Sequence, residues 1–163
     1  MTYELIASQT LTADAASVEF VDIPQTFDDL VLMCSPRTNY GNTDTIMYMK
    51  LNGEGSTSNP RYLRGNGSNA MSFADTPNFV GWINSAYYAN LFASVEIYIP
   101  NYVGSQAKSV SSTSAFEQND TTAFISVSAG LYGSSVVTSI QFTAMYGSFV
   151  ANSSFQLFGI SNS

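Results

Sequence analysis

The side chains that could carry out chemistry in this chain are few. The sequence contains no histidine, one cysteine, and twelve Asp and Glu residues against five Lys and Arg residues. Without histidine, a Ser-His-Asp triad, a Cys-His pair and the commonest zinc sites cannot form. Two carboxylates could hydrolyse a glycosidic bond, but most of the acids lie in predicted loops or at strand ends, as Asp28 and Asp29 do, where they favour turns. We therefore predict a protein that is not an enzyme and that uses no cofactor or metal ion.

The loop Asn39–Asp44 has residue types that could bind calcium. It offers several oxygen ligands and a glycine, in the order NYGNTD. Its spacing does not match an EF-hand loop and only one of its residues is charged, so an Asx-rich turn is the favoured interpretation and calcium is the alternative. Cys34 ends the apolar run Leu30–Met33, which predicts a buried thiol that behaves as a small apolar side chain.

Trp82, Tyr87 and Tyr88 form an aromatic cluster in the segment GWINSAYYANLF. On an exposed face these rings could stack on sugars, as in carbohydrate-binding modules. The alternative is that Trp82 belongs to the core and that the two tyrosines lie at a subunit contact, where aromatic residues are enriched. We take all three as candidate interface residues.

The charge of the chain excludes several classes of partner. The formal net charge is −7 and only 10% of the residues are charged, compared with about 25% in typical globular chains. An acidic chain lacks the basic face that nucleic acid requires, and anionic membranes are disfavoured for the same reason. The N-terminal segment MTYELIASQT is not predicted to be a signal peptide, because it has neither a basic region nor a continuous apolar run. The neutral polar surface that remains suits contact with proteins or glycans.

Strands rather than helices must position these residues. Alternating apolar and polar segments recur along the chain, separated by Gly, Pro, Asn and Ser, which is typical of a sandwich or a barrel. We predict one all-β domain spanning 1–163, an antiparallel two-sheet jelly-roll-like sandwich of about eight to ten strands. Residues 52–78 are predicted to form a long irregular loop region, because Gly, Ser and Asn are frequent there.

Three strands are predicted from their alternation. In Leu91–Ile99, Val95, Ile97 and Ile99 are predicted to point inward. Lys108–Phe116 is rich in serine, which favours an edge strand or a solvated face. In Ala123–Leu131 one set of alternate residues is apolar and is predicted to face the core: Ile125, Val127, Ala129 and Leu131.

The final predicted strand, Ser154–Ile160, is apolar on both faces. Phe155 and Leu157 share one face, and Phe158 and Ile160 lie on the other. Phe158 and Ile160 are therefore predicted to be covered by a neighbouring subunit or by a folded-back loop, and they join the candidate interface residues.

Five groups of residues, spread over most of the chain, form a further pattern. They are Phe20-x-x-Ile23-Pro24 followed by Phe27-x-x-Leu30-Val31-Leu32 and Arg37; Leu51-Asn52-Gly53-Glu54 with Tyr62-Leu63 and Gly65-x-Gly67; Ile97-x-Ile99-Pro100-Asn101-Tyr102 with Lys108; Ser139-Ile140-x-Phe142; and Ser154-x-x-Leu157-Phe158-Gly159-Ile160. With these patterns the chain resembles small jelly-roll virion proteins of tailed bacteriophages, known as capsid decoration (cement) or minor tail proteins.

The resemblance implies a passive structural role and no active site. It implies a homo-oligomer, often a trimer, that is made in the host cytoplasm and attached to a major capsid protein or a tail protein. Because the chain is acidic and short, we expect a decoration protein on the capsid exterior. The alternatives are a minor tail or receptor-binding protein, and a carbohydrate-binding module that uses an aromatic face.

Overall fold

The computed structural model describes residues 1–54, 58–74, 76–87, 89–118 and 122–162. Within these ranges the regular secondary structure consists of strands. The strands are β1 (Thr2–Thr10), β2 (Ser17–Phe20), β3 (Asp29–Ser35), β4 (Asp44–Leu51), β5 (Ser58–Gly65), β6 (Ala70–Phe73), β7 (Phe79–Asn84), β8 (Ser94–Ile99), β9 (Lys108–Glu117), β10 (Ala123–Tyr132), β11 (Ile140–Ala144) and β12 (Ser154–Ser161). The all-β prediction is confirmed.

The strands form two antiparallel sheets with jelly-roll connections. One sheet has the order β1-β12-β3-β8-β9-β10-β5-β6, and the other has the order β2-β11-β4-β7. When β5, β6, β9 and β10 are set aside and the remaining eight strands are numbered along the chain, the sheets read 1-8-3-6 and 2-7-4-5. This alternation of the chain between two sheets is the jelly-roll arrangement.

Two inserted hairpins extend the larger sheet. The hairpin β5–β6 comes between β4 and β7, the hairpin β9–β10 comes between β8 and β11, and β10 pairs with β5. The described strands number twelve rather than eight to ten, and the prediction of an irregular region at 52–78 was wrong, because β5 and β6 lie within it.

Aromatic packing explains why this Gly- and Asn-rich segment forms a hairpin. The ring of Tyr62 stacks on Phe73 and Phe79, with centroid distances of 4.8 and 4.1 Å. The polar residues only close the turn, where Asn66 Oδ1 accepts the backbone N–H groups of Ser68 and Asn69.

The core lies between the two sheets. Phe142 on β11 stacks across the sandwich on Phe155 of β12, with 5.7 Å between ring centroids, and both are fully buried. On β8 the inward set is confirmed as predicted, since Val95, Ile97 and Ile99 are buried.

Asp29, at the start of β3, is hydrogen-bonded to residues at the ends of the two neighbouring strands, β8 and β12. Its carboxylate accepts hydrogen bonds from the Asn101 backbone N–H at 2.7 Å, the Tyr98 hydroxyl at 2.8 Å and the Asn162 amide at 3.1 Å. Although burial raises the pKa of Asp29, these hydrogen bonds hold it below its usual 3.8. The ionised carboxylate therefore stabilises the start of β3.

Candidate protein-interaction surface

Strand β10 presents the apolar side chains of Ile125, Val127, Ala129 and Leu131 to solvent, and it turns Ser126 and Ser128 to the interior together with Phe124 and Tyr132. Ile125, Val127 and Leu131 are 53%, 41% and 48% exposed, and Ala129 is also exposed, whereas Ser126 is only 2% exposed. The prediction that the apolar set faces the core was wrong. The predicted period of two is present in this strand, but the side chains that face inward are the other alternate set, which includes Ser126 and Ser128.

The close approach of β7 is the physical reason for this orientation. A Cβ atom on Gly81 would lie 2.8 Å from the Ser114 Cβ atom, closer than real side chains come. The Trp82 backbone N–H donates to Ser114 Oγ at 3.2 Å, and Ser128 Oγ donates to the Phe79 carbonyl at 3.5 Å. Small hydroxyl side chains fit this space and satisfy the polar backbone groups, so the alternate apolar residues of β10 point outward.

Strand β9 is central, which corrects its predicted place at an edge. The alternative prediction, a solvated face, holds for one of its two faces, where Ser109, Ser111 and Thr113 are exposed. It pairs with β8 on one side and β10 on the other. Its serines form cross-strand pairs with those of β10: the hydroxyl oxygens of Ser114 and Ser126 are 2.6 Å apart, as are those of Ser112 and Ser128. A serine-rich strand can be buried here because its hydroxyls are hydrogen-bonded.

The outward side chains of β6, β5, β10 and β9 form one continuous surface, which we call the outer face. Its members are all exposed: Arg61, Leu63, Ala70, Ser72, Ser109, Ser111, Thr113, Ala115, Glu117, Ala123, Ile125, Val127, Ala129 and Leu131. At its centre Val127 lies between Leu63 of β5 and Thr113 of β9. Two shallow apolar grooves of about 270 and 300 Å³ run beside Leu63. Exposed apolar surface of this kind is typical of a protein-interaction site.

Trp82 lies in a packed cluster behind this sheet. The Arg64 guanidinium lies over the Trp82 ring, 4.4 Å from its centroid, and 4.6 Å from the centroid of Phe124. Arg64 also forms an ion pair with Asp44 at 2.9 Å. Burial raises the pKa of Asp44, and the charge of Arg64 opposes that rise. Trp82 is therefore half-buried beneath a cation.

The other predicted aromatic residues lie in a different environment. Tyr87 is exposed in the connection between β7 and β8. Tyr88 lies outside the described residues. Trp82 and Tyr87 therefore do not form a shared aromatic platform for a sugar, because the Arg64 guanidinium covers the Trp82 ring.

The two C-terminal candidates differ in accessibility. Strand β12 lies between β1 and β3, and Phe158 pairs with Leu5 and Val31. Phe158 is half-buried, whereas Ile160 is 2% exposed within a single chain. Ile160 therefore offers no accessible surface to a neighbour. Its partners on the adjacent strands are Tyr3 and Asp29.

The predicted calcium loop uses its polar groups within the protein. Asn39 Nδ2 donates to Asp14 at 2.9 Å, and Asn39 Oδ1 accepts the Ser148 backbone N–H at 2.9 Å. The one charged residue of the loop, Asp44, is paired with Arg64. In the described ranges no group of three or more metal-ligating side chains comes together. These contacts tie the loop to residues distant in the sequence, and the Asx-rich turn stays a prediction.

Cys34 is buried, as its apolar context predicted. Burial raises the pKa of its thiol, and a hydrogen bond with the Gln156 backbone opposes that rise only in part. Because the thiolate is the nucleophilic form, Cys34 is unsuited to covalent chemistry.

A small polar hollow of about 90 Å³ lies beside Tyr132, between Asn52, Glu54 and Ser135. The buried Tyr132 hydroxyl has no hydrogen-bond partner in the described part of the chain. A volume of this size has room for several water molecules. The hollow therefore suits solvent better than an organic ligand.

Comparisons with known proteins add little to this geometry. No family model matches the chain, and no curated protein matches its sequence significantly. Among solved structures it is similar to a crystal structure of scytalido-glutamic peptidase with a transition state analog inhibitor, at 12% identity and a TM-score of 0.26. The alignment covers 94% of this chain and 66% of the peptidase chain. At that TM-score the similarity carries no argument about fold or activity. Among the residues that the structure describes, no helix is long and apolar enough to cross a membrane.

Sequence reasoning missed the outer face entirely. Leu63 was assigned to an irregular loop, and Ile125 and Val127 were assigned to the core. The available signal was the serine content of β9 together with Ser126 and Ser128, because two adjacent serine-bearing faces suit a narrow space. That signal becomes readable only once β9 and β10 are known to pair.

Proposed function

We propose that the protein is a non-enzymatic structural protein of a tailed-bacteriophage virion, a decoration (cement) protein that binds the capsid exterior. The observation that carries the proposal is the outer face, where Leu63, Ile125 and Val127 expose apolar surface on a regular sheet. Covering such a face with protein is favourable because it removes apolar area from water. The virion assignment itself comes from the resemblance to decoration proteins.

Fold and charge support the same function. Viral capsid domains and lectins both use the jelly roll, although a fold alone does not define a function. The net charge of −7 suits the outside of a capsid better than its DNA-facing interior. A role in assembly also needs no reactive group, in keeping with a buried, protonated Cys34.

Co-sedimentation with capsid shells that lack their decoration protein tests the proposal. We expect saturable binding of the wild-type chain, together with a higher temperature at which the shells release DNA. Leu63→Asp is expected to weaken binding by about tenfold or more, because a buried charge opposes association. Leu5→Asp is the matched control, since Leu5 on β1 is 52% exposed and Leu63 is 55% exposed. Binding to purified tails alone would favour the minor tail alternative, and binding to neither particle would refute the proposal.

Glycan binding is the second candidate, and the structure offers it a site other than Trp82. The rings of Tyr40 and Tyr146 stack with centroids 4.9 Å apart, and Tyr146 is half-exposed. Such an exposed ring could stack on a sugar. A glycan array should then give hits that Tyr146→Ala abolishes. An array on which the wild-type chain gives no hits would exclude this candidate.

A further inference from the structure

We propose that the outer face is a homotypic interface, on which a second copy of this chain packs face to face about a two-fold axis. The inference rests on the proposed structural role and names the partner that covers Leu63, Ile125 and Val127 while the chain is free of the shell. The shell and the second copy then compete for the outer face. A closed two-fold contact gives a dimer, in place of the trimer that the resemblance implies.

The charges of the outer face are self-complementary under such an axis. Among its described members only Arg61 and Glu117 are charged. Arg61 pairs with Ala129 of β10 from one side, and Glu117 pairs with Ala123 from the other side. The two charges therefore lie at opposite corners of the face. A two-fold axis lying in the plane of the face and crossing β10 near Val127 brings each Arg61 opposite the partner copy's Glu117.

The rest of the surface disfavours pairing elsewhere. The net charge of −7 makes two copies repel one another in most orientations. Among the side chains that the structure describes, the one acid and the one cation of the outer face balance, and the next outward acid is Glu96 on β8, beside Thr113. The repulsion between copies is therefore smallest where the apolar side chains are.

The outer face is also large enough for a stable dimer. Strands β9 and β10 have ten residues each, β5 has eight and β6 has four. At about 3.4 Å per residue and about 4.8 Å between strands, they give a projected area of about 500 Å². Side chains roughen this surface, so its accessible area approaches the roughly 800 Å² per partner of standard interfaces. The apolar residues lie at its centre and the two charges at its corners, which matches the usual division into an apolar core and a polar rim.

Sedimentation equilibrium of the purified chain, without capsid shells, tests the pairing. We expect a monomer–dimer equilibrium for the wild type. Val127→Lys is expected to raise the dissociation constant by about tenfold or more, because it places two cations near each other on the axis. Val136→Lys is the matched control: Val136 is 39% exposed, close to the 41% of Val127, and lies outside the outer face. Far-UV circular dichroism checks that both variants remain folded.

A charge exchange tests the orientation. Arg61→Glu and Glu117→Arg should each weaken the dimer several-fold, and the double variant should restore it to within about twofold of the wild type, because the charges exchange places across the axis. If each single variant weakens the dimer and the double variant does not restore it, the two-fold arrangement is overturned.

Three outcomes overturn the pairing itself. They are a monomer at roughly 100 µM, where a dimer with a standard interface would be populated; a trimer; and a dimer that Val127→Lys leaves unchanged. None of them affects the proposed function if the wild-type chain still binds shells. A chain that dimerises as expected but binds neither shells nor tails retains the pairing and refutes the virion role.

Discussion

The orientation of β10 predicts that two neighbouring substitutions have unequal effects on stability. Ser126→Val places an apolar side chain on the inward set, and Val127→Ser places a hydroxyl on the outward set. If the apolar alternate residues of β10 faced the core, Val127 would be a core residue and its substitution would be the more destabilising of the two. In the structure the opposite holds.

The cost of Ser126→Val follows from its surroundings. Ser126 is 2% exposed, and its hydroxyl oxygen lies 2.6 Å from that of Ser114. The larger side chain must displace neighbours in the narrow space beneath β7, which costs about 1–3 kcal/mol. It also removes one hydrogen-bond partner of Ser114, for about 1 kcal/mol more. We expect the free energy of unfolding to fall by about 3 kcal/mol.

The cost of Val127→Ser is smaller because Val127 is already 41% exposed. Fully burying a valine stabilises a protein by about 1.5 kcal/mol, so a partly covered one contributes about 1 kcal/mol. A valine truncated in a true core position would cost about 2–4 kcal/mol. The two orientations of β10 therefore predict opposite rankings of the two variants.

Urea denaturation followed by Trp82 fluorescence measures both free energies. The experiment is run at two protein concentrations, because self-association stabilises the folded state in a concentration-dependent way. Val127→Ser measured in monomer conditions then reports the fold alone. A larger loss for Val127→Ser than for Ser126→Val would refute the orientation of β10, and with it the outer face.

Three further predictions concern buried polar groups. Cys34 should resist iodoacetamide at pH 8 in the native protein and react once urea unfolds it, because burial raises its pKa. Asp29→Asn should lower the free energy of unfolding at pH 7 by about 1–2 kcal/mol. Hydrogen bonds, led by that from Asn101, outweigh the effect of burial and hold the pKa of Asp29 below 3.8. The contribution is therefore present above about pH 4 and is lost as the pH falls through the folded-state pKa, so urea titrations at decreasing pH should show the variant and the wild type converging. Arg64→Ala should lower the free energy of unfolding by about 3 kcal/mol in the same assay, because it leaves the partly buried Asp44 without its cation. Arg64→Met should lower it less, because the methionine side chain still packs on the aromatic rings.

Much of the fold was predictable because strand signals are local. Alternation placed Val95, Ile97 and Ile99 of β8 inward, and the apolar context of Cys34 indicated burial. The hairpin β5–β6 escaped prediction because its turn residues dominate the composition. The rings that hold it contact Phe79 of another strand, and this contact cannot be read from the segment itself.

The candidate surface was the least predictable feature, because a period of two has two equivalent phases and a shift by one residue exchanges the faces. The sequence by itself determined that the chain is acidic, poor in reactive side chains, built from strands and alternating in Ala123–Leu131. Only the tertiary structure decided which alternate set of β10 faces the core. There the close approach of Gly81 to Ser114 leaves room only for small side chains such as that of Ser126. Ile125 and Val127 therefore point outward and form the surface on which this protein's proposed role rests.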